Sequence, residues 1–164
     1  MMKEGNGRPA WHCPNRDDSS MENKPAVILL IEDDETHAML TTIAFEETKI
    51  NHEIYWVSSG DEALDYLFRR GKFADPKDSP RPDLILLDLR LPVVDGHEIL
   101  KSIKESNYLK ALPVIVLTTS QNADDISKAY SNYANSYLVK PMGSEMFREM
   151  INALGTYWLK WNLR

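Results

Sequence analysis

Four apolar runs in this sequence each end in residues that can do chemistry. AVILLI (26–31) runs into Glu32, Asp33 and Asp34, LILL (84–87) into Asp88, VIVL (114–117) into Thr118 and Thr119, and Tyr137–Val139 into Lys140 and Pro141. A short apolar run bounded by turn signals reads as a strand buried on both faces. In an open parallel sheet, ligands bind just outside the carboxyl ends of the strands. Acid, acid, hydroxyl and amine at four such ends are the parts of one site. Carboxylates crowded there repel; at an effective dielectric of about 20, a pair ~4 Å apart costs roughly 4 kcal/mol. A divalent cation removes that cost. Hard oxygen ligands suit Mg2+, which takes one or two carboxylates plus the oxygens of a phosphate.

The elements between these runs follow from hydrophobic periodicity. A helix over 34–47 places Leu40, Ile43 and Ala44 on one face, with His37 on the opposite, solvated side. A second strand at 53–58 is rich in aromatic and β-branched residues. Ser59 caps a helix that turns Ala63, Leu64, Leu67 and Phe68 inward and ends near Gly71. Residues 71–82, GKFADPKDSPRP, form a polar loop whose prolines forbid helix and ladder pairing. It reads as a surface insertion or a partner-recognition loop. A helix from Gly96 buries Ile99, Leu100 and Ile103, and one from Asn122 carries Ile126, Ala129, Tyr130 and Tyr133 on a stripe. A last helix starts near Ser144. The pattern is (βα)5, an α/β fold whose parallel strands need helical crossovers. The expected architecture is a flavodoxin-like, doubly wound sheet of order 2-1-3-4-5, whose switch point lies between strands one and three. Topology alone then brings Asp33 and Asp88 together.

The combined set resembles the receiver domain of two-component response regulators. The match rests on the Glu32-Asp33 pair, Asp88 with Pro92 and Asp95-Gly96, Thr118, and Tyr137 with Lys140-Pro141, and it spans about residues 26–155. The polar loop and the NSYLVKP run resemble the single-domain subgroup that partners phytochrome-type sensor kinases.

This resemblance implies a phosphoryl transfer from a histidine kinase's phosphohistidine to Asp88, supported by Mg2+. Asp33 and Asp88 would ligate the metal directly, the backbone carbonyl of Arg90 would be the third protein ligand, and Glu32 would act through water. Lys140 and Thr118 would bind the phosphoryl oxygens, and the Lys140–Pro141 bond resembles the family's cis peptide. Movement of Thr118 toward the phosphate would vacate space for the Tyr137 ring. Asp34 would cap its helix, and Asp95 would shape its turn with Gly96. The sequence departs from the family pattern at Arg90, where smaller residues are common, at Thr119, where Ala or Gly is usual, and at Tyr133, where Gly is frequent. Arg90 and Thr119 flank the path of an attacking water and would tune dephosphorylation.

Composition bounds the rest. The chain has 164 residues, 43% of them hydrophobic, and a formal net charge of −6. An acidic chain without a basic cluster argues against nucleic-acid binding. One cysteine, Cys13, allows no intrachain disulfide. No apolar run approaches the ~20 residues of a membrane helix, and no secretory signal opens the chain, so a soluble cytoplasmic protein with no membrane contact is expected. Residues 1–25 read as a disordered N-terminal arm, in which Trp11-His12-Cys13 cannot complete a four-ligand zinc shell. Residues 26–164 read as the receiver domain with an aromatic C-terminal helix extension.

Too little chain follows residue 155 for an output domain, so signalling by protein–protein contact is expected. Phe147, Met150, Ile151, Leu154, Trp158 and Trp161 form one helical stripe. Tyr157, Leu159 and Leu163 add apolar surface around it, and Gly155 weakens the helix where TYWLKWNLR begins. Tyr157, Trp158 and Trp161 are therefore candidates for a homodimer interface across the fourth helix, fifth strand and fifth helix; the alternative is that the tryptophans fold back onto their own domain. Three other functions compete. An FMN carrier of the same fold needs a Ser/Thr/Gly-rich phosphate loop where Glu32, Asp33 and Asp34 stand. A hydrolase with an aspartyl-phosphate intermediate needs an acid at position 90. A phosphorylation-independent, receiver-like interaction module has no need of intact Asp33, Asp88, Thr118 and Lys140.

Overall fold

Five runs rich in leucine, isoleucine and valine form one parallel sheet: β1 (Ala26–Ile31), β2 (His52–Val57), β3 (Leu84–Leu87), β4 (Val114–Thr118) and β5 (Ser136–Val139). The strand order is β2-β1-β3-β4-β5. The structure, a computed structural model, describes residues 24–162. The arm expected at 1–25 thus lies outside the described residues except for Lys24 and Pro25, and so does Leu163. Five helices alternate with the strands: α1 (Glu35–Glu46), α2 (Gly60–Phe68), α3 (Gly96–Glu105), α4 (Ala123–Ser131) and α5 (Ser144–Gly155).

Strand side chains alternate between two cores, as a period of two requires. Leu29, Ile31, Ile85, Leu87, Val114 and Val116 pack with the buried residues of α2, α3 and α4. Ile28, Leu30, Leu84, Leu86, Ile115 and Leu117 pack with those of α1 and α5. Each such side chain contributes about 1.5–3 kcal/mol by leaving water. β1 and β3 pair in register with Ile31 opposite Leu87, so the residues that follow, Glu32 and Asp88, emerge side by side.

Helix starts are set by short polar side chains. Asp34, Ser59, Asp95 and Asn122 each accept a hydrogen bond from a backbone N–H of the first turn. Asp34 and Asp95 thus have the structural roles read for them. Several other expectations are corrected. α1 buries Ala38, Thr41, Ala44 and Phe45, while Ile43 is exposed, because its inner face is centred one residue round from the expected one. α2 also buries Tyr66 and ends at Arg69, which takes the left-handed conformation (φ 54°) that Gly71 was expected to supply; Gly71 opens a 3-10 turn, Gly71–Phe73. The loop to residue 82 is tied down by the Tyr66 hydroxyl on the Pro80 carbonyl (2.8 Å) and by Ser79 Oγ on the Phe73 carbonyl (2.8 Å). Tyr133 lies beyond α4 at φ 62°, mostly exposed, so it does not share the buried stripe with Ala129; Gly is frequent there because that conformation costs a side chain energy. All peptide bonds of the described residues are trans, including Lys140–Pro141.

Gly155 does not interrupt the last helix. It is buried, and a Cβ there would meet the Phe45 ring at 3.1 Å, so glycine lets α5 approach α1 closely. The helix continues as wider π-type turns over Thr156–Trp161. Trp158 and Leu159 are partly buried against the α1/α5 core, whereas Tyr157 and Trp161 are exposed. The stripe is thus split: Trp158 folds back onto its own domain.

Candidate functional site

The carboxyl ends of β1, β3, β4 and β5 deliver the four chemical groups to one edge of the sheet. Asp88 is fixed first by backbone. Its N–H donates to the Ile31 carbonyl at 3.0 Å, and one of its oxygens, Oδ1, accepts from the Arg90 N–H at 3.0 Å. Gly96 allows the loop to fold back on it: a Cβ at Gly96 would lie 2.5 Å from the Asp88 carbonyl oxygen and 2.6 Å from Leu89 Cα. Any side chain there would push the loop off the acid.

Glu32 is anchored beside it. Its N–H donates to the Val57 carbonyl at 3.1 Å, and its own carbonyl accepts from the Trp56 indole N–H at 2.8 Å. Lys140 spans both acids: its ammonium lies 2.5 Å from Glu32 Oε2 and 2.8 Å from Asp88 Oδ2. The lysine is aimed by its backbone, whose N–H donates to the Thr118 carbonyl at 2.8 Å. Glu32, Asp88, Lys140 and Thr118 are all buried. Burial pushes the Glu32 carboxyl above its usual range, and the Lys140 ammonium holds it back.

Asp33 is exposed and has no hydrogen-bond or ion-pair partner among the described residues. One oxygen from each of Glu32, Asp33 and Asp88 falls within 4.8 Å of the others. Three hard oxygen donors at that spacing fit a divalent cation of the Mg2+ or Mn2+ class. Of the Glu32 oxygens, Oε2 pairs with the Lys140 ammonium and Oε1 accepts from the Asp34 N–H at 3.3 Å.

Thr118 and Tyr137 meet the site through Ser120. The Ser120 N–H donates to Thr118 Oγ1 at 3.4 Å, and the Tyr137 hydroxyl donates to the Ser120 carbonyl at 3.1 Å. Arg90 and Thr119 are exposed, and Arg90 meets Asp88 through its backbone N–H. Tyr157, Trp158 and Trp161 follow the C-terminal end of α5, whereas the residues that join β5 to its start include Lys140; they are not part of this cluster.

His37 was placed on the solvated side of its helix. It instead lies with Nδ1 3.4 Å from Lys140 Nζ and 3.6 Å from Glu32 Oε1. Ser120, Asp125 and His97 were also missed. Asp125, at the third position of α4, accepts from the Ser120 hydroxyl at 2.5 Å.

Over residues 28–152 the sequence matches the response regulator receiver domain family. The probable methanogenesis regulatory protein FilR2 of Methanothrix harundinacea is 47% identical over 138 residues, which cover 84% of this chain and 86% of that one. Response regulator Rcp1 of Synechocystis sp. is 39% identical over 142 residues, 87% of this chain and 95% of its own. The Mn2+-bound crystal structure of Rcp1 superposes with a TM-score of 0.79 at 38% identity, covering 85% of this chain and 98% of that one. The phosphorylated cyanobacterial phytochrome response regulator RcpA gives a TM-score of 0.81 at 36% identity, again over 85% and 98%.

Proposed function

Because the chain belongs to the response regulator receiver domain family of two-component systems, we propose that it accepts a phosphoryl group on Asp88 from the phosphohistidine of a sensor histidine kinase. The observation that carries this reading is the single buried ammonium shared by Asp88 and Glu32, beside three carboxylates within 4.8 Å. The covalent work lies in the donor, so the chain supplies position and charge. The P–N bond of the phosphohistidine breaks as a P–O bond to an Asp88 carboxylate oxygen forms, and the donor imidazole leaves with its electron pair. Lys140, 2.8 Å from Asp88 Oδ2, stands where it neutralises the transferring oxygens. The Thr118 hydroxyl and the N–H groups that follow Asp88 donate to them. Asp33 and Asp88, with the Arg90 carbonyl, are the residues that would hold Mg2+, and Glu32 lines the same site. Mg2+ bound there supplies positive charge against the carboxylates and the incoming phosphoryl group. Arg90 and Thr119 set how fast water reaches the product.

Similarity to RcpA, a cyanobacterial phytochrome response regulator, supports a phytochrome-type kinase as donor. Similarity to FilR2, a probable methanogenesis regulatory protein, supports a role in methanogenesis control; a histidine-kinase donor serves both. Output runs through the protein's own surface, in the cytoplasm and without nucleic acid. Among the described residues no helix is long and apolar enough to cross a membrane. We include a homodimer in this reading, formed across α4, β5 and α5, with the exposed Tyr157 and Trp161 adding to the contact and Trp158 supporting them from its own core. Hydrogen exchange with and without the phosphate mimic beryllofluoride tests the switch. Slower or faster exchange over residues 118–140 supports it, and an unchanged profile contradicts it.

A further inference from the structure

Trp56 stands on β2, an edge strand of the sheet, and is not among the residues of either core. It is 45% exposed, yet its indole N–H is engaged, donating to the Glu32 carbonyl at 2.8 Å. The reason lies in where β2 stops. Ile31 pairs with Val57, and the Glu32 N–H donates to the Val57 carbonyl at 3.1 Å. One further step of a parallel ladder would satisfy the Glu32 carbonyl from the Ser59 N–H. β2 ends at Val57 instead, and the chain bends at Ser58 and Ser59 into α2. The Trp56 indole, which can only donate, takes the place of the missing ladder donor.

The Glu32 carbonyl and the Asp33 N–H belong to one planar peptide group. The next peptide is held as well: the Asp34 N–H donates to Glu32 Oε1 at 3.3 Å, and Asp34 caps α1 by accepting from the His37 N–H at 2.9 Å. Asp33 therefore lies between two pinned peptides, one held by Trp56 and the other by Glu32. Its own carboxylate is exposed, with no hydrogen-bond or ion-pair partner among the described residues. Glu32 and Asp88 share the Lys140 ammonium, but Asp33 has only its backbone to bring it within 4.8 Å of their oxygens.

We propose that Trp56 is a positioning residue for the divalent-cation site: its indole N–H fixes the Glu32–Asp33 peptide and so preorganises the Asp33 carboxylate. The inference rests on the reading of Glu32, Asp33 and Asp88 as the acids around the cation. A ligand whose backbone is fixed in advance loses little freedom when the cation arrives. A ligand on a loosened peptide must first be ordered, which weakens binding. Hydrogen bonds that orient a metal ligand from outside typically account for about 10–100-fold in affinity. Trp56 acts through backbone, so its effect lies at the lower end.

The test is Mg2+ and Mn2+ affinity of the full chain, measured by calorimetry without any phosphoryl donor. Trp56→Phe keeps a ring and removes the donor; Trp56→Gln removes the ring and keeps an N–H donor the same number of bonds from the backbone. Trp56→Phe is expected to bind both cations about tenfold more weakly than wild type, and Trp56→Gln to stay within about twofold of it. A merely structural role for the ring predicts the opposite order. Unfolding of each variant without cation separates loss of fold from loss of affinity. Should Trp56→Phe fail to fold, Trp56→Met against Trp56→Gln makes the same comparison between side chains of nearly equal length. Equal losses in the donor-free and donor-bearing variants, or no loss in either, overturn the role of Trp56 while wild type still binds the cation. A wild-type chain that binds neither cation overturns the reading of the acidic cluster, and the role of Trp56 with it.

Discussion

The Lys140 ammonium lies 2.8 Å from Asp88 Oδ2, and the same nitrogen meets Glu32 on its other side. One buried cation therefore balances two buried carboxylates. Removing one partner of a buried ion pair typically costs about 3–5 kcal/mol, because the other charge is left uncompensated. Lys140→Met is expected to lose about 3 kcal/mol without divalent cation and to recover much of it when Mg2+ is added. Thermal unfolding with and without Mg2+ checks this. An equal Mg2+ response from variant and wild type would contradict it.

Arg90 and Thr119 are both exposed, and Arg90 holds Asp88 through its backbone rather than its side chain. Of these two residues, the Arg90 backbone N–H is what touches the acid. Arg90→Asn and Thr119→Ala are therefore expected to change the decay of the phosphorylated protein several-fold while leaving its formation intact. Decay of purified phosphoprotein, followed after removal of the donor, measures this. Three identical decay rates would show that neither side chain gates the water.

Tyr66 carries a pH signature. Burial pushes its hydroxyl well above the usual tyrosine range, and that hydroxyl donates to the Pro80 carbonyl at 2.8 Å. The folded state then holds this proton more tightly than the unfolded state. Stability is fully present below the ordinary tyrosine value of about 10 and falls as pH rises from there toward the folded value. Tyr66→Phe is expected to lose about 1 kcal/mol at neutral pH from the missing hydrogen bond, and to show a shallower alkaline decline. Denaturant unfolding across the alkaline range compares the slopes; equal slopes would mean another group governs that limb.

Tyr157 and Trp161 are 57% and 67% exposed, a large apolar surface on one short segment. Trp158 is not free to cross to a partner in the same way, because it packs on its own core. Truncation after Gly155 would strip that core, so substitution is the cleaner probe. Tyr157→Ser with Trp161→Ser is expected to weaken self-association at least tenfold while leaving the unfolding midpoint nearly unchanged. Light scattering against concentration reads the outcome. A wild-type chain that stays monomeric at high micromolar concentration, with and without beryllofluoride, would rule the dimer out.

The sheet and the cluster around Asp88 were legible because they rest on strong local signals. Apolar runs ending in Glu32, Asp88, Thr118 and Lys140 fix which side chains leave which strand, and parallel topology does the rest. The helical faces were less legible. On α1, Ile43 and Phe45 are both apolar, and only tertiary contact decides that Phe45 turns inward against Gly155. Gly155 looked like a weak point because its intrinsic helix propensity is low; the close approach that requires it depends on a helix far away in sequence. Arg69 and Tyr133 occupy left-handed positions that sequence assigns to glycine, so neither could be read as a cap. His37 and Asp125 were missed for a different reason. Each is an ordinary surface residue by composition, and its partner, Lys140 or His97, comes from a distant element.

Every role proposed for this site depends on Asp88 receiving the phosphoryl group with the help of a divalent cation. The direct measurement is peptide mapping of the protein after incubation with acetyl phosphate, with and without Mg2+. The expected result is an acyl phosphate confined to the peptide containing Asp88, formed only with the cation, and absent from Asp88→Asn. Labelling of Asp88→Asn at the wild-type level, or wild-type labelling indifferent to Mg2+, would contradict it.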